Sequence, residues 1–183
     1  MKRVGSRNFL GRVAGTVTLL AAPLGVIDRA GAACDPPTSV ATPANNTTVT
    51  CAGTTTDQNA DNVTTFAGYG TGTETGITVN VQSGASVTST STLPASSGIF
   101  IGDGTVNNFG IVTVAGAHGI GVFGINDITV NNSGGINFDN SASDHGDIGI
   151  FTLGTANVTN ANPDPIAGNP MVTDADKYVA NVN

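Results

Sequence analysis

The chain has 183 residues, of which 39% are apolar, 10% are charged and none is Trp, with 25 Gly and a formal net charge of −7. That length allows one domain with a buried core, and apolar residues set in short alternating runs argue against the disorder that Gly and Ser richness otherwise suggests. Five of the six basic residues (Lys2, Arg3, Arg7, Arg12 and Arg29) lie in the first thirty positions, so beyond Arg29 12 acids face the single base Lys177; a surface of that sign repels phosphate backbones and anionic headgroups, which excludes nucleic-acid and peripheral-membrane binding.

Residues 1–33 carry the three parts of a secretory signal: the basic start, an apolar stretch from Val13 to Ile27, and small residues at Ala30-Gly31-Ala32-Ala33. Gly15, Pro23 and Gly25 interrupt the apolar stretch, which is shorter than the ~20 residues of a membrane span. Export with cleavage after Ala32 or Ala33 is expected. Lipidation of Cys34 is not, because a lipobox needs a large aliphatic three residues earlier and Gly31 stands there.

Residues 34–75 read as an N-terminal cap. Export carries Cys34 and Cys51 to an oxidising compartment, and only one pairing is possible within the chain. The loop that it closes is turn-rich, and the staple is worth roughly 3 kcal/mol on the chain-entropy model. A metal or redox pair is disfavoured by the wide spacing and by the absence of a nearby His.

From residue 76 to 160 the chain reads as short strands. Ile77, Val79 and Val81 alternate with Thr78 and Asn80. A unit then recurs as GIFIGDGTVNN from Gly98, GIGVFGINDITVNN from Gly119 and DIGIFTLGTANVTN from Asp147. Aligning Gly98 with Gly119, Val106 with Val130, and Ile120–Phe123 with Ile148–Phe151 gives steps of about 21 to 28 residues, within the range of stacked repeats. A rung this short cannot bury its own apolar face, so it must lie on its neighbours. The expected fold is all-β, a short right-handed parallel β-helix, with a β-sandwich as the competing architecture.

In that coil Phe100, Phe123 and Phe151 are expected to form one interior stack and Val106, Val130 and Val158 another. The aromatic series as a ligand-stacking platform is the less favoured reading. Asn107, Asn108, Asn131 and Asn132 are placed at corners, where Asn tolerates left-handed backbone, and equivalent Asn side chains one rung apart can form hydrogen-bonded ladders. Gly102, Gly104, Gly110, Gly116, Gly134 and Gly135 are assigned to the remaining corners.

The signal, the small loop Cys34…Thr48-Val49-Thr50-Cys51-Ala52-Gly53 and the Gly/Asn/Thr-rich rungs together resemble the N-terminal part of an autotransporter passenger from a Gram-negative bacterium. The resemblance implies a parallel β-helical passenger carried to the cell surface or outer membrane by a C-terminal β-barrel. Residues 161–183, with Pro163, Pro165 and Pro170, read instead as a tail or partial cap and lack the alternating ~10-residue strands of a barrel. The chain is therefore expected to be either a passenger segment or a small exported protein on the same scaffold. The tail from Met171 to Val182 folding over the last rung would make a weak cap, which leaves end-to-end self-association open.

His118, His145 and the cluster Asp144-His145-Gly146-Asp147 are the polar candidates for acid/base cleavage of polysaccharide, where inverting chemistry wants carboxyls ~6.5–9.5 Å apart. His-Gly pairs at His118 and His145 resemble a piece of polygalacturonases. Those enzymes, like the pectate lyases, resemble sites where a basic residue meets an anionic sugar, and the exported chain has no Arg, so exposed turns are preferred. Asp139, Asp144 and Asp147, or Asp57 and Asp61, could supply hard oxygens to calcium, but no calcium-loop string is present and solvated carboxylates are preferred. Gly102-Asp103-Gly104 has no Lys after it and reads as a tight turn. No Gly-x-Ser-x-Gly elbow occurs. No catalytic residue, metal ligand or cofactor is assigned. The expectation is a non-enzymatic stalk or adhesin scaffold meeting a host or matrix ligand, with a polysaccharide-active enzyme and a carbohydrate- or protein-binding module as alternatives.

Overall fold

A computed structural model describes residues 33–59, 67–116, 118–138 and 147–161, and the strand Val172–Asp174. The proposed leader lies, except for Ala33, outside the described residues. So do Asp61, Asp139, Asp144, His145 and the three tail prolines.

The described residues contain strands and turns and no helix. β1 (Cys34–Asp35), β2 (Thr48–Cys51), β5 (Ile77–Val81), β8 (Gly104–Asn108), β11 (Ile128–Asn132) and β14 (Ala156–Asn160) form the first sheet in that order. β3 (Thr54–Thr56), β6 (Ser86–Ser89), β9 (Ile111–Val114) and β12 (Gly135–Phe138) form the second. The third holds β4 (Ala67–Tyr69), β7 (Ser97–Ile101), β10 (Ile120–Gly124), β13 (Ile148–Thr152) and β15 (Val172–Asp174). From β2 to β14 the chain visits the three sheets in strict rotation, and every pairing except β1 with β2 is parallel, which makes a β-solenoid of about four turns. The stacking begins at Thr48, upstream of Gly76 where alternation becomes legible.

Period-2 alternation decides which side chains enter the core. Val49, Val79, Val106, Val130 and Val158 stand in one register column and all are buried, each contributing about 1.5–3 kcal/mol. Thr55, Val87, Val112 and Ile136 line the second sheet's inner face, and Tyr69, Ile99, Val122 and Ile150 the third's. The sheets approach closely at glycine: a Cβ on Gly98 would lie 2.2 Å from Val112 Cγ1, and one on Gly121 2.3 Å from Ile136 Cγ2.

Two sequence expectations are corrected. Ile99 stands opposite Val122, which brings Gly98 beside Gly121 and not Gly119. The Phe series stacks as expected, but on the outer face: Ile99 and Ile101 belong to the core, so Phe100 between them faces outward and is only half-buried, as are Phe123 and Phe151. Hydrophobicity alone placed these rings inside, because an apolar residue on the outer face erases the alternation that reveals it.

The N-terminal end is closed. β1 pairs antiparallel with β2, and a Cys34–Cys51 disulfide links the two buried cysteines of that pair. Gln58 satisfies the outer edge of β1, accepting from the Cys34 N–H at 2.9 Å and donating to the Cys34 carbonyl at 2.8 Å. An edge strand treated this way offers little to an incoming strand. At the other end β15 continues the third sheet in register beyond β13.

Candidate functional site

The turns of β8 and β11 each carry Asn side chains to two different places. On the first sheet's outer face, Asn107 Nδ2 donates to Asn80 Oδ1 and Asn131 Nδ2 to Asn107 Oδ1, each at 2.8 Å. Inside, Asn108 Nδ2 donates to Asn132 Oδ1 at 2.7 Å and Asn132 Nδ2 to Asn160 Oδ1 at 2.9 Å. The expected ladders exist, but not through left-handed corners: the described non-Gly residues with positive φ are Asn46, Asp57, Ala95 and His118. The laddering Asn residues sit within strands, where the extended backbone brings equivalent amides to one another.

The rings form a third ladder. The Phe100 and Phe123 centroids lie 4.7 Å apart with planes 13° from parallel, and Phe123 and Phe151 lie 5.2 Å apart at 45°. Gly72 covers the other side of Phe100, where a Cβ would come within 2.3 Å of Cζ. Both faces of Phe100 and of Phe123 and one face of Phe151 are therefore covered. A platform for sugars needs open ring faces, so this series serves turn-to-turn cohesion, each pair adding about 0.5–1.5 kcal/mol beyond its burial.

The corner between the third and first sheets holds a groove of about 570 Å³ lined by Asp103, Thr105, Ile125, Asn126, Asp127 and Leu153, with Gly104 and Gly154 at its base. Gly104 has φ +136°, and a Cβ there would lie 2.0 Å from the Ile77 carbonyl oxygen, so the close approach of adjacent turns at this point requires glycine. Both carboxylates of the groove are engaged. Asp103 Oδ1 accepts the Gly76 N–H at 2.5 Å and Asp127 Oδ1 the Thr155 N–H at 2.7 Å.

The same device recurs. Asp57 accepts the Thr90 N–H at 2.7 Å and the Thr90 hydroxyl, and the buried Asp147 accepts the Gly119 N–H at 2.9 Å. Asp57, Asp103, Asp127 and Asp147 thus each tie one turn to another. Of the sequence candidates, Asp147 is a fastener and His118 is an exposed turn residue at φ 53°. Asp139, Asp144, His145 and Asp61 lie outside the described residues, and among the described residues no three His, Cys, Asp or Glu side chains gather as a metal site.

The sequence reading overlooked Glu74, which is fully buried. It accepts from the Thr38 hydroxyl and the Thr71 hydroxyl, both at 2.7 Å, and from the Thr71 N–H at 3.0 Å, fastening the segment after β1 onto the first turn. Its neighbour Tyr69 donates its hydroxyl to the Pro36 carbonyl at 3.1 Å. Burial first, then the charges of Glu74 and Asp35, push the Tyr69 phenol well above its ordinary range. A lone acid in a polar loop gives no sequence signal of burial; the Thr residues flanking it at 71, 73 and 75 were the only hint.

No family model, curated protein or solved structure matches the chain.

Proposed function

We propose that this chain is an exported, non-enzymatic scaffold: a β-solenoid segment of an autotransporter-like surface protein that serves as a stalk or display support. The observation that carries the reading is the use of its polar side chains. Four carboxylates bridge turns through backbone N–H groups, and two series of Asn amides bond to one another. Groups held this way stiffen a coil, whereas acid/base work needs a carboxyl able to exchange its proton with a substrate. The basic leader with small residues before Cys34, and the oxidised Cys34–Cys51 pair, support export.

The test is expression of the whole chain with its own leader in a Gram-negative host. Recovery of processed, disulfide-bonded protein outside the inner membrane is expected, while retention in the cytoplasm would overturn the export part. Incubating the purified protein with a panel of polysaccharides addresses activity. Cleavage that disappears in Asp147→Asn would sink the scaffold reading, and no cleavage is expected.

A further inference from the structure

We propose that the outer face of the first sheet is an ice-binding surface, an uncharged grid of Thr and Asn that engages ordered water. The inference goes beyond the scaffold reading and does not depend on export. Five consecutive strands hold strict register, giving one outward column of Thr48, Thr78, Thr105, Thr129 and Asn157 and a second of Thr50, Asn80, Asn107, Asn131 and Thr159. The buried Val column runs between them on the opposite side. Every outward position in both columns is Thr or Asn.

Such a grid has two fixed periods, about 4.8 Å between strands and about 6.6 Å between alternate residues of one strand. Both lie near oxygen–oxygen repeats of the ice lattice. Thr presents a methyl and a hydroxyl at six of the ten points, four of them consecutive from Thr48 to Thr129, so the surface sheds disordered water while offering an anchor to ordered water. Rigidity is supplied by the Asn80–Asn107–Asn131 ladder on the same face, and side-chain ladders are one of the devices that keep a multi-stranded sheet flat.

Charge selects the occupant. The chain carries −7, yet neither column contains a charged residue, and the bordering Asp103 and Asp127 are bound to backbone N–H groups. A neutral face matches a neutral lattice and gives a polyanion or a basic protein nothing to grip. A crystalline glycan is the other neutral lattice, but it calls for a row of open aromatic faces, and the strands of this sheet hold no aromatic residue; the exposed Phe109 follows β8, and the stacked Phe100, Phe123 and Phe151 lie on the third sheet. The second sheet has one such column, Thr56, Thr88, Thr113 and Asn137, but its other outer column passes through Thr54, Ser86, the exposed Ile111 and Gly135, so the two-column grid is not repeated there.

The experiment uses the purified full chain. Thermal hysteresis is measured by nanolitre osmometry, and partition into a growing ice hemisphere is measured beside pull-down on crystalline cellulose and chitin. Wild type is expected to enter the ice and to shape crystals. Thr105→Lys with Thr129→Lys is expected to abolish both effects. The exposed loop change Leu93→Lys, which adds like charge off the face, should keep them. Thr129→Val retains the methyl without the hydroxyl and guards against a folding defect in the Lys pair, with circular dichroism checking each variant; it should keep the fold and lower the hysteresis. Exclusion of wild type from ice, undiminished hysteresis in the folded Lys pair, or capture by cellulose or chitin without entry into ice would each overturn the proposal.

Discussion

Asn131 and Asn132 are adjacent, identical in type and both laddered, yet their truncation should differ sharply in cost. Asn132 is 2% exposed. It accepts from Asn108 Nδ2 at 2.7 Å and donates to Asn160 Oδ1 at 2.9 Å and to the Gly134 carbonyl at 3.3 Å. Asn132→Ala removes these bonds inside the coil, where water cannot replace them all, and leaves a small void. A buried polar group stripped of its partner costs about 1–3 kcal/mol, and with the void we expect about 2–4 kcal/mol in total. Asn131 is half-buried on the outer face, where solvent can take over its bond to Asn107, so Asn131→Ala should cost about 1 kcal/mol or less. Urea unfolding followed by far-ultraviolet circular dichroism reads the difference as a shift in midpoint. A sharper version is Asn132→Asp, which sets a carboxylate against the Gly134 carbonyl and Asn160 Oδ1. Burial and those acceptors raise its folded pKa above the unfolded ~3.9. The folded state then holds the proton longer, so stability is greatest at low pH and falls as pH rises between the two values. Equal midpoints for the two Ala variants, or an Asn132→Asp variant indifferent to pH, would refute the assignment of one Asn to the interior and the other to the surface.

Phe123→Ala removes the middle ring and both ring pairs, and should lower stability by about 2–3 kcal/mol, whereas truncating Phe109, which is 53% exposed, should cost under about 0.5 kcal/mol; thermal unfolding compares them. Gly72→Ala sets a Cβ 2.3 Å from Phe100 Cζ at a φ of +77° and is expected to cost about 1–3 kcal/mol, with loss of the near-ultraviolet Phe signal as a second readout. Because the folded Tyr69 phenol titrates above its unfolded value of ~10, its stabilisation is whole below that pH and is lost as pH rises beyond it. Tyr69→Phe should therefore be slightly less stable at neutral pH and flatter in its alkaline unfolding profile. Reducing the Cys34–Cys51 disulfide, whose partners are 17 residues apart, should cost about 3 kcal/mol, read as a fall in the urea midpoint.

What the sequence revealed follows from where its signals are strong. Val106, Val130 and Val158 alternate cleanly with Thr and Asn, so the inward column and the parallel stack were legible, and only one disulfide was possible. The Phe positions were misplaced because strings such as Ile99-Phe100-Ile101 are apolar on both faces. The start of stacking at Thr48 was hidden by short strands such as Thr54–Thr56, whose inward residue is the polar Thr55. The corner fasteners were illegible for a different reason. Asp57 reaches Thr90, and Asp147 reaches Gly119, and contacts at such separations follow from the register of whole turns and not from any local pattern.

The two Asn ladders differ in polarity as well as burial. The outer amides donate toward the N-terminal turn and the inner ones toward the C-terminal turn, so the turns that carry Asn107-Asn108 and Asn131-Asn132 each donate in both directions. Added turns then contribute nearest-neighbour increments, as in other stacked repeats, and the coil can lengthen without a new core. The corners are where loops vary and where β-helical enzymes would place acids, but here the corner carboxylates Asp103 and Asp127 are bound to Gly76 and Thr155. Releasing either for chemistry would unfasten adjacent turns. The outer face of the first sheet carries no such conflict, because Thr78, Thr105 and Thr129 can meet a partner while the Val column behind them keeps the strands in place.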